Sequence, residues 1–527
     1  MAERLVMAVD VGTGSARAGL FDAAGALLAR ADHPIVMNRP DAHHAEHQSE
    51  DIWRAVCLAV RGALDRAAVS GSAVAAIAFD ATCSLVVRDG AGAPLSVNRA
   101  GAPDWDTIVW LDHRALAEAD ACTATGHPVL DHSGRVMSPE MQMPKLMWLK
   151  RHLPGQWAKA QKIFDLADFL SWRACGSLAR SRCTLTAKWN YLSHAQPGWQ
   201  DDFLAMIGLA DLKARAGLTE ETRPVGAALG TLTPQAAREL GLETHCRVAA
   251  GMIDAYAGAL GVLGRHAGDP AELERRLAMI AGTSSCLVAF SRAPKPLFGF
   301  WGPYYAAGFP GSWLIEGGQS VAGALLDHLV RSHAAGGTPD AGTHARIIAR
   351  IQALRAVEGP QLASRLHILP DFHGNRAPLA DPHALGVISG LDLDSSFDAL
   401  CRIYWRACVA IALGIRHVLA TLTDKGYRVD VLHITGGHVR NPLLMELYGD
   451  VTGCPIVVPE THDAVLLGTA MVAAVGAGFY PGLGEAGAGM APPERLHHPN
   501  PAMKPIYDRD FEKFLLMQRH RAELERV

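Results

Sequence analysis

No stretch of the 527 residues matches GxxxxGK[ST], so the P-loop with its phosphate-gripping lysine is excluded, and the protein-kinase motif set is missing as well. Cysteine is sparse and scattered. The ten thiols (Cys57, Cys83, Cys122, Cys175, Cys183, Cys246, Cys286, Cys401, Cys408 and Cys454) form no CxxC pair and no dense framework. A disulfide scaffold is thereby excluded, and reduced thiols in a cytoplasm are expected. Long runs of one charge are also lacking, and the formal net charge is only -4, so neither nucleic acid nor an anionic membrane is an expected partner. The apolar run near the N-terminus follows Glu3 and Arg4 and is broken too soon for a signal peptide. The longest apolar stretch, residues 464–480, is rich in Ala and Gly and includes Thr469. It suits a helix packed closely inside a globule better than a membrane span.

What is present is the composition of a compact α/β enzyme: 49% hydrophobic residues, 19% charged ones, and enough length for two domains. A small molecule is the default substrate. Residues 7–21 read as a hairpin in which two apolar runs flank Gly12-Thr13-Gly14-Ser15, with Asp10 ending the first run. Glycines there let the backbone turn tightly and offer N–H groups to an anion, while Thr13 and Ser15 add hydroxyl donors. Asp10 is placed to hold Mg²⁺ beside a phosphate chain, which takes few carboxylates and keeps several waters. An edge hairpin with Asp10 capping its turn is the competing reading. A strand over 26–35, a helix over 52–69 with Ser49 as its N-cap, and strands over 74–80 and 84–89 follow. Three strands, a helix and a strand are the order of a ribonuclease-H-like nucleotide domain.

The same order recurs. Residues 277–290 again read strand, Gly282-Thr283-Ser284 turn, strand, and a strand over 429–435 and a helix over 441–452 come later. An internal duplication is expected, with residues 264–274 as the boundary. Asp254 stands where an apolar strand meets a small-residue helix; such a carboxylate either takes the proton of an attacking hydroxyl or N-caps the helix. Trp110-Leu111-Asp112-His113-Arg114 closes a strand over 107–111 and offers an aromatic face with polar groups, which suits a polyol, although Asp112 and Arg114 could simply pair. Gly436-Gly437, ahead of Asn441, is a bare backbone against which a flat base or ribose can lie. Two patterns are set aside. His43, His44 and His47 lack a further ligand and read as a solvated turn, and the GxGxxG at 482–487 follows a helix rather than a strand.

Taken in order over residues 6–480, these motifs resemble the FGGY family of carbohydrate kinases. The resemblance implies an α/β fold of two ribonuclease-H-like domains, of the actin, Hsp70 and hexokinase superfamily, with an interdomain cleft. It implies an N-terminal kinase domain over 1–264, a C-terminal ATP-binding domain over 275–480 and a tail over 481–527 that wraps without chemistry. Gly12, Thr13, Gly14 and Ser15 become the first phosphate motif, Gly282, Thr283 and Ser284 the second, Gly436, Gly437 and Asn441 the adenosine motif, Asp254 the catalytic base and Asp10 the Mg²⁺ organiser. Asp80-Ala81-Thr82-Cys83-Ser84-Leu85-Val86 resembles the sugar-contacting signature of the D-ribulokinase subgroup, and 110–113 its Trp-x-Asp-His segment. Lys188 and Glu316 match positions where L-ribulokinases hold their sugar.

The resulting expectation is ATP- and Mg²⁺-dependent phosphorylation of the terminal hydroxyl of a ketopentose, D-ribulose first, with Thr82, Cys83, Asp112, Lys188, Asp254 and Glu316 around the sugar. A pentitol such as ribitol, or L-ribulose, is the alternative substrate. A superfamily member that uses ATP only to switch domain closure for a protein partner is the non-enzymatic alternative. No nucleic acid and no membrane are expected as partners, and a homodimer is the assembly allowed for.

Overall fold

The computed structural model describes residues 5–461 and 463–527; Glu3 and Arg4 lie outside them. Every residue of the strand Leu5–Val11 is buried, and its alternating side chains face two different cores. Leu5, Met7, Val9 and Val11 pack with Ile52, Val56 and Val60 of the helix Ser49–Ala67. Val6 and Ala8 pack with Leu466, Ala470 and Ala473 of the helix Ala464–Gly476. This period of two leaves Asp10 as the one acid in a run buried on both faces.

Around that strand a mixed sheet forms. Leu5–Val11 pairs antiparallel with Ser15–Asp22, which pairs antiparallel with Leu27–Pro34. On its other side lies Val74–Ala81, parallel, followed by Arg247–Ala249, also parallel. A second sheet repeats the plan: Arg276–Ala281 pairs antiparallel with Ser285–Ser291, that strand with Trp313–Gln319, and Arg276–Ala281 runs parallel to Val431–Thr435, itself parallel to Ile456–Pro459. The expected duplication is thus realised as two α/β units of ribonuclease-H-like strand order.

The two units are laced together by their helices. Asp254–Leu263, which follows the first sheet in the chain, packs against the second, where a Cβ on Gly258 would lie 2.7 Å from Ile280. Ala464–Gly476, which follows the second sheet, packs on the first and sends Thr469 to Asp80. Of the apolar stretch 464–480, residues Ala464–Gly476 form the expected buried helix.

Three local expectations are corrected. The helix beginning at Ser49 has Gln48 at its N-cap. Ser49 itself donates from its backbone N and its hydroxyl to Asp106 at 2.8 and 2.5 Å, a tertiary bond that outcompetes the cap. The strand over 107–111 is only Thr107–Ile108, because Val109 turns to bond Ala45 O and Asp112 N closes a turn on Val109 O. His47 is buried within a five-stranded antiparallel sheet inserted into the first unit, so the histidine turn is solvated only at its start.

Among the described residues one helix, Phe397–Asp424, is long and apolar enough to cross a membrane, with 67% of its apolar window buried. It forms the core of the second unit, and its Arg406 pairs at 2.8 Å with Asp510 of the final helix Lys504–Leu524.

Candidate active site

The parallel register sets Asp10 directly beside Asp80. Both are fully buried. Arg17, across the hairpin, brings Nη2 to 2.7 Å from Asp10 Oδ2 and Nη1 to 3.9 Å from Asp463. Among the described residues Asp10 Oδ1 and Asp80 Oδ1 have no hydrogen-bond partner and Asp10 Oδ2 has only the Arg17 ion contact, whereas Asp80 Oδ2 accepts from Thr469. Burial pushes the Asp10 carboxyl up to about 7, Arg17 pulls it down, and Asp463 and Asp254 push it up again. Asp80 is also raised, by burial and then by Asp10. Unpartnered buried carboxylate oxygens are costly unless something positive completes them. A hard, oxygen-preferring cation such as Mg²⁺ fits this donor set.

Two turns share one backbone pattern. In the first, Gly12 N donates to Ser15 O at 3.0 Å; in the second, Gly282 N donates to Ser284 O at 2.8 Å. A Cβ on Gly14 or on Gly282 would meet nothing within 4 Å, so both turn tips border open space. Trp110 Nε1 donates to Thr13 Oγ1 at 2.9 Å and fixes the first turn. Gly436 has φ +93 and lies so close to Ala281 that a Cβ would meet its carbonyl at 2.4 Å, which brings the Gly436-Gly437 turn against the second turn. Asn441 N-caps the helix Pro442–Thr452, its Oδ1 accepting from Leu443 N at 3.0 Å and Leu444 N at 3.4 Å. Asn441→Ala is expected to destabilise the second unit by about 1 kcal/mol, read from urea denaturation, because two end-of-helix donors lose their acceptor.

Asp254 is the first residue of its helix, half-buried, with Oδ1 accepting from Ala255 N at 2.8 Å. Its charge neighbours lie on two sides. Burial raises its carboxyl, Arg17 and Lys188 oppose that, and Glu316 adds to it. Arg17 belongs to the acid group just described. Lys188 and Glu316 form a separate buried pair at 3.3 Å, Lys188 from the helix Arg182–Lys188 of the first unit and Glu316 from the strand Trp313–Gln319 of the second. Tyr256 donates to the same carboxylate at 2.8 Å, and Lys188 Nζ lies 4.0 Å from the Trp301 ring. Burial opposes the Lys188 charge, but Glu316 overcomes it and raises the ammonium pKa. Asp254 therefore has Arg17 of the acid group on one side and the Lys188–Glu316 pair, with its aromatic neighbour Trp301, on the other.

Thr82 and Cys83 are buried at the end of the strand Val74–Ala81; Thr82 N donates to Val11 O at 3.0 Å and its hydroxyl lies 3.1 Å from Ser84 Oγ. Cys83 feels Lys188, after burial, which pushes its thiol up to about 12. Asp112 is different. Its Oδ1 accepts from Arg114 N and Nε, and its Oδ2 from Ala45 N at 2.6 Å and Arg114 Nη2 at 2.8 Å. Its acceptor capacity is filled, so the ion-pairing reading replaces the sugar-contact one. Residues not singled out from the sequence stand in the same groups: Asp80, Arg17, Thr469, Tyr256 and Trp301. Asp80 carried a readable signal, an acid ending a buried strand in the same manner as Asp10.

Two family models match the chain, the N-terminal domain of the FGGY family of carbohydrate kinases over residues 5–261 and its C-terminal domain over 277–477. An FGGY carbohydrate kinase domain-containing protein of Danio rerio is 42% identical over 98% of this chain and 97% of its own length. A D-ribulokinase of Saccharomyces cerevisiae is 35% identical over 89% of this chain and 72% of its own length. In structure, a xylulose kinase of Rhodospirillum rubrum superposes with a TM-score of 0.81, at 24% identity, covering 99% of this chain and all of that one (100%).

Proposed function

The chain belongs to the FGGY family of carbohydrate kinases, and from that premise we propose that it transfers the γ-phosphoryl group of ATP to the terminal hydroxyl of a ketopentose, D-ribulose foremost. The observation that carries the reading is the position of Asp254, half-buried between the Asp10, Asp80 and Arg17 group and the Lys188–Glu316 pair. The yeast D-ribulokinase at 35% identity supports the choice of sugar, as does the Thr82-Cys83-Ser84 segment beside Lys188.

On this reading the sugar lies in the pocket of Lys188, Glu316, Tyr256 and Trp301, and its reacting hydroxyl meets Asp254. That carboxylate accepts the hydroxyl proton as the oxygen attacks, while the Gly12–Ser15 and Gly282–Ser284 turns hold the phosphates in line from the two units. Positioning and charge stabilisation supply most of the rate in such a transfer. Asp10 and Asp80 would hold Mg²⁺, which when bound neutralises charge on the phosphates. Arg17 pairs with Asp10 and Asp463 beside that position. Closure of the units on each other keeps water from the reacting phosphoryl group.

A coupled ADP-release assay over D-ribulose, L-ribulose, D-xylulose, ribitol and glycerol tests the proposal. D-Ribulose is expected to give the highest kcat/KM. A flat response to every sugar sinks the kinase reading, and a preference for ribitol or L-ribulose replaces the ketopentose.

The buried acids also predict a stability effect. The Asp10 carboxyl sits at about 7 in the folded chain against 3.8 for an ordinary aspartate. Between those values the folded state holds the proton more tightly than the unfolded one, so stability falls as pH rises and the penalty is complete above about 7. Asp10→Asn should therefore stabilise the metal-free protein at pH 8 by on the order of 2 kcal/mol, less at pH 5, while lowering activity. Thermal melts of the metal-free variant and parent at both pH values check this; an equal gain at the two pH values contradicts it.

A further inference from the structure

Beyond the Lys188–Glu316 pair lies a second ion pair that joins the units in the opposite sense. Glu140, from the first unit, meets Arg376, from a loop of the second, at 3.4 Å. The Arg376 guanidinium lies 4.9 Å from the Trp301 ring, the same indole that Lys188 approaches at 4.0 Å. His113 approaches Glu140 at 3.8 Å and stacks on His373, with ring centroids 6.2 Å apart.

The charges sort into a line. Asp254 senses Arg17, Glu316 and Lys188; Glu140 senses Arg376, His113 and Lys188; Arg376 senses Glu140 and Glu316. Lys188 and Glu316, linked to the Asp254 helix through Tyr256 and to Arg376 through the Trp301 indole, therefore stand between Asp254 and the Glu140–Arg376 pair. Arg376 is mostly buried, with 14% of its side chain exposed. Its single hydrogen bond among the described residues is the long one to Glu140, which leaves most of its N–H donors without a protein acceptor. Those donors are not sealed from solvent, so the acceptors of a ligand can reach them. Its position is also fixed: Ala377 N bonds Gly318 O, Asn375 Nδ2 bonds Asp371 Oδ1 at 2.9 Å, and Asp371 Oδ2 takes Arg521 Nη1 of the final helix at 2.5 Å. The tail expected to lack chemistry thus braces the loop that carries Arg376.

We infer that Arg376 and Glu140 are the specificity-determining pair that reads the non-reacting end of the sugar, Arg376 donating to the ketose carbonyl oxygen. This rests on the ketopentose reading above. With the terminal hydroxyl at Asp254, the carbonyl end of an open-chain ketopentose lying along the Trp301 indole points to Arg376. A carbonyl only accepts, so it needs Arg376. The corresponding hydroxyl of a pentitol both donates and accepts, so it can use Glu140 instead.

Steady-state kinetics of the full chain with D-ribulose and with ribitol test the inference. Arg376→Ala is expected to raise KM for D-ribulose about 30-fold, the loss of one charge-assisted hydrogen bond, with kcat, KM for ATP and the ribitol KM within about threefold. Arg376→Lys recovers part of the loss. Glu140→Gln does the reverse, raising KM for ribitol more than for D-ribulose, and it carries the test if Arg376→Ala does not fold. Equal shifts for the two substrates, or no shift, in a folded variant overturn the assignment and leave the kinase reading intact. A parent protein that phosphorylates neither substrate, or prefers ribitol, overturns the ketopentose reading and this assignment with it.

Discussion

Asp254→Asn is expected to lower kcat for sugar phosphorylation about a thousandfold while leaving ATP affinity within a factor of about two. General-base help is worth roughly two to four powers of ten, and Asn keeps the size and the hydrogen bond from Ala255 N while removing the basic oxygen. The turns proposed to hold ATP are built from other residues, so binding of ATP, measured by titration calorimetry, has no reason to change. The pH dependence makes the test sharper. Burial raises the Asp254 carboxyl above its ordinary 3.8, with Arg17 and Lys188 restraining the rise. A base works only when deprotonated, so kcat/KM of the parent should fall as pH drops through this raised value, and the residual rate of the Asn variant should lack that acid limb. Near-normal turnover in the variant removes Asp254 from the role of base.

Much of this arrangement was legible before any coordinates, and the parts that were not share a cause. Local chemistry sets the Gly12 and Gly282 turns, the strand carrying Asp10 and the helix opening at Asp254, because each depends on residues adjacent in the chain. The duplication followed from reading the same order of signals twice. Ser49 was misassigned because its hydroxyl had two suitors, its own helix end and Asp106, which lies 57 positions away. Asp112 was misassigned because filling its four acceptor positions takes Ala45 as well as Arg114. The Glu140–Arg376 pair joins residues 236 positions apart, and no periodicity or spacing records such a meeting. The exchange of helices between the two units was equally hidden. An apolar, Gly-rich helix reads the same whether it packs on its own sheet or on its partner's.

That exchange leads to the largest effect expected on the fold itself. Gly468→Ala should destabilise the protein by about 4 kcal/mol or more, lowering the melting temperature by roughly 10 °C, and should reduce activity in whatever fraction remains folded. A Cβ on Gly468 would lie 1.9 Å from Ala257 O and 2.9 Å from Gly261 N; one on Gly261 would lie 1.9 Å from Ala464 O. These neighbours are backbone atoms, so no side chain can rotate away and the helices Asp254–Leu263 and Ala464–Gly476 must separate. Separation has two consequences at the site. It draws Thr469, one residue on, away from the Asp80 carboxylate that it satisfies, and it tilts the helix whose first residue is Asp254. The control is Gly155→Ala, in the short helix Pro154–Lys159, where an added Cβ meets nothing within 4 Å and stability should stay within about 0.5 kcal/mol. If Gly468→Ala melts with the parent, the two helices do not cross at the distance described, and the coupling between the helix pair and the acids Asp80 and Asp254 fails with it.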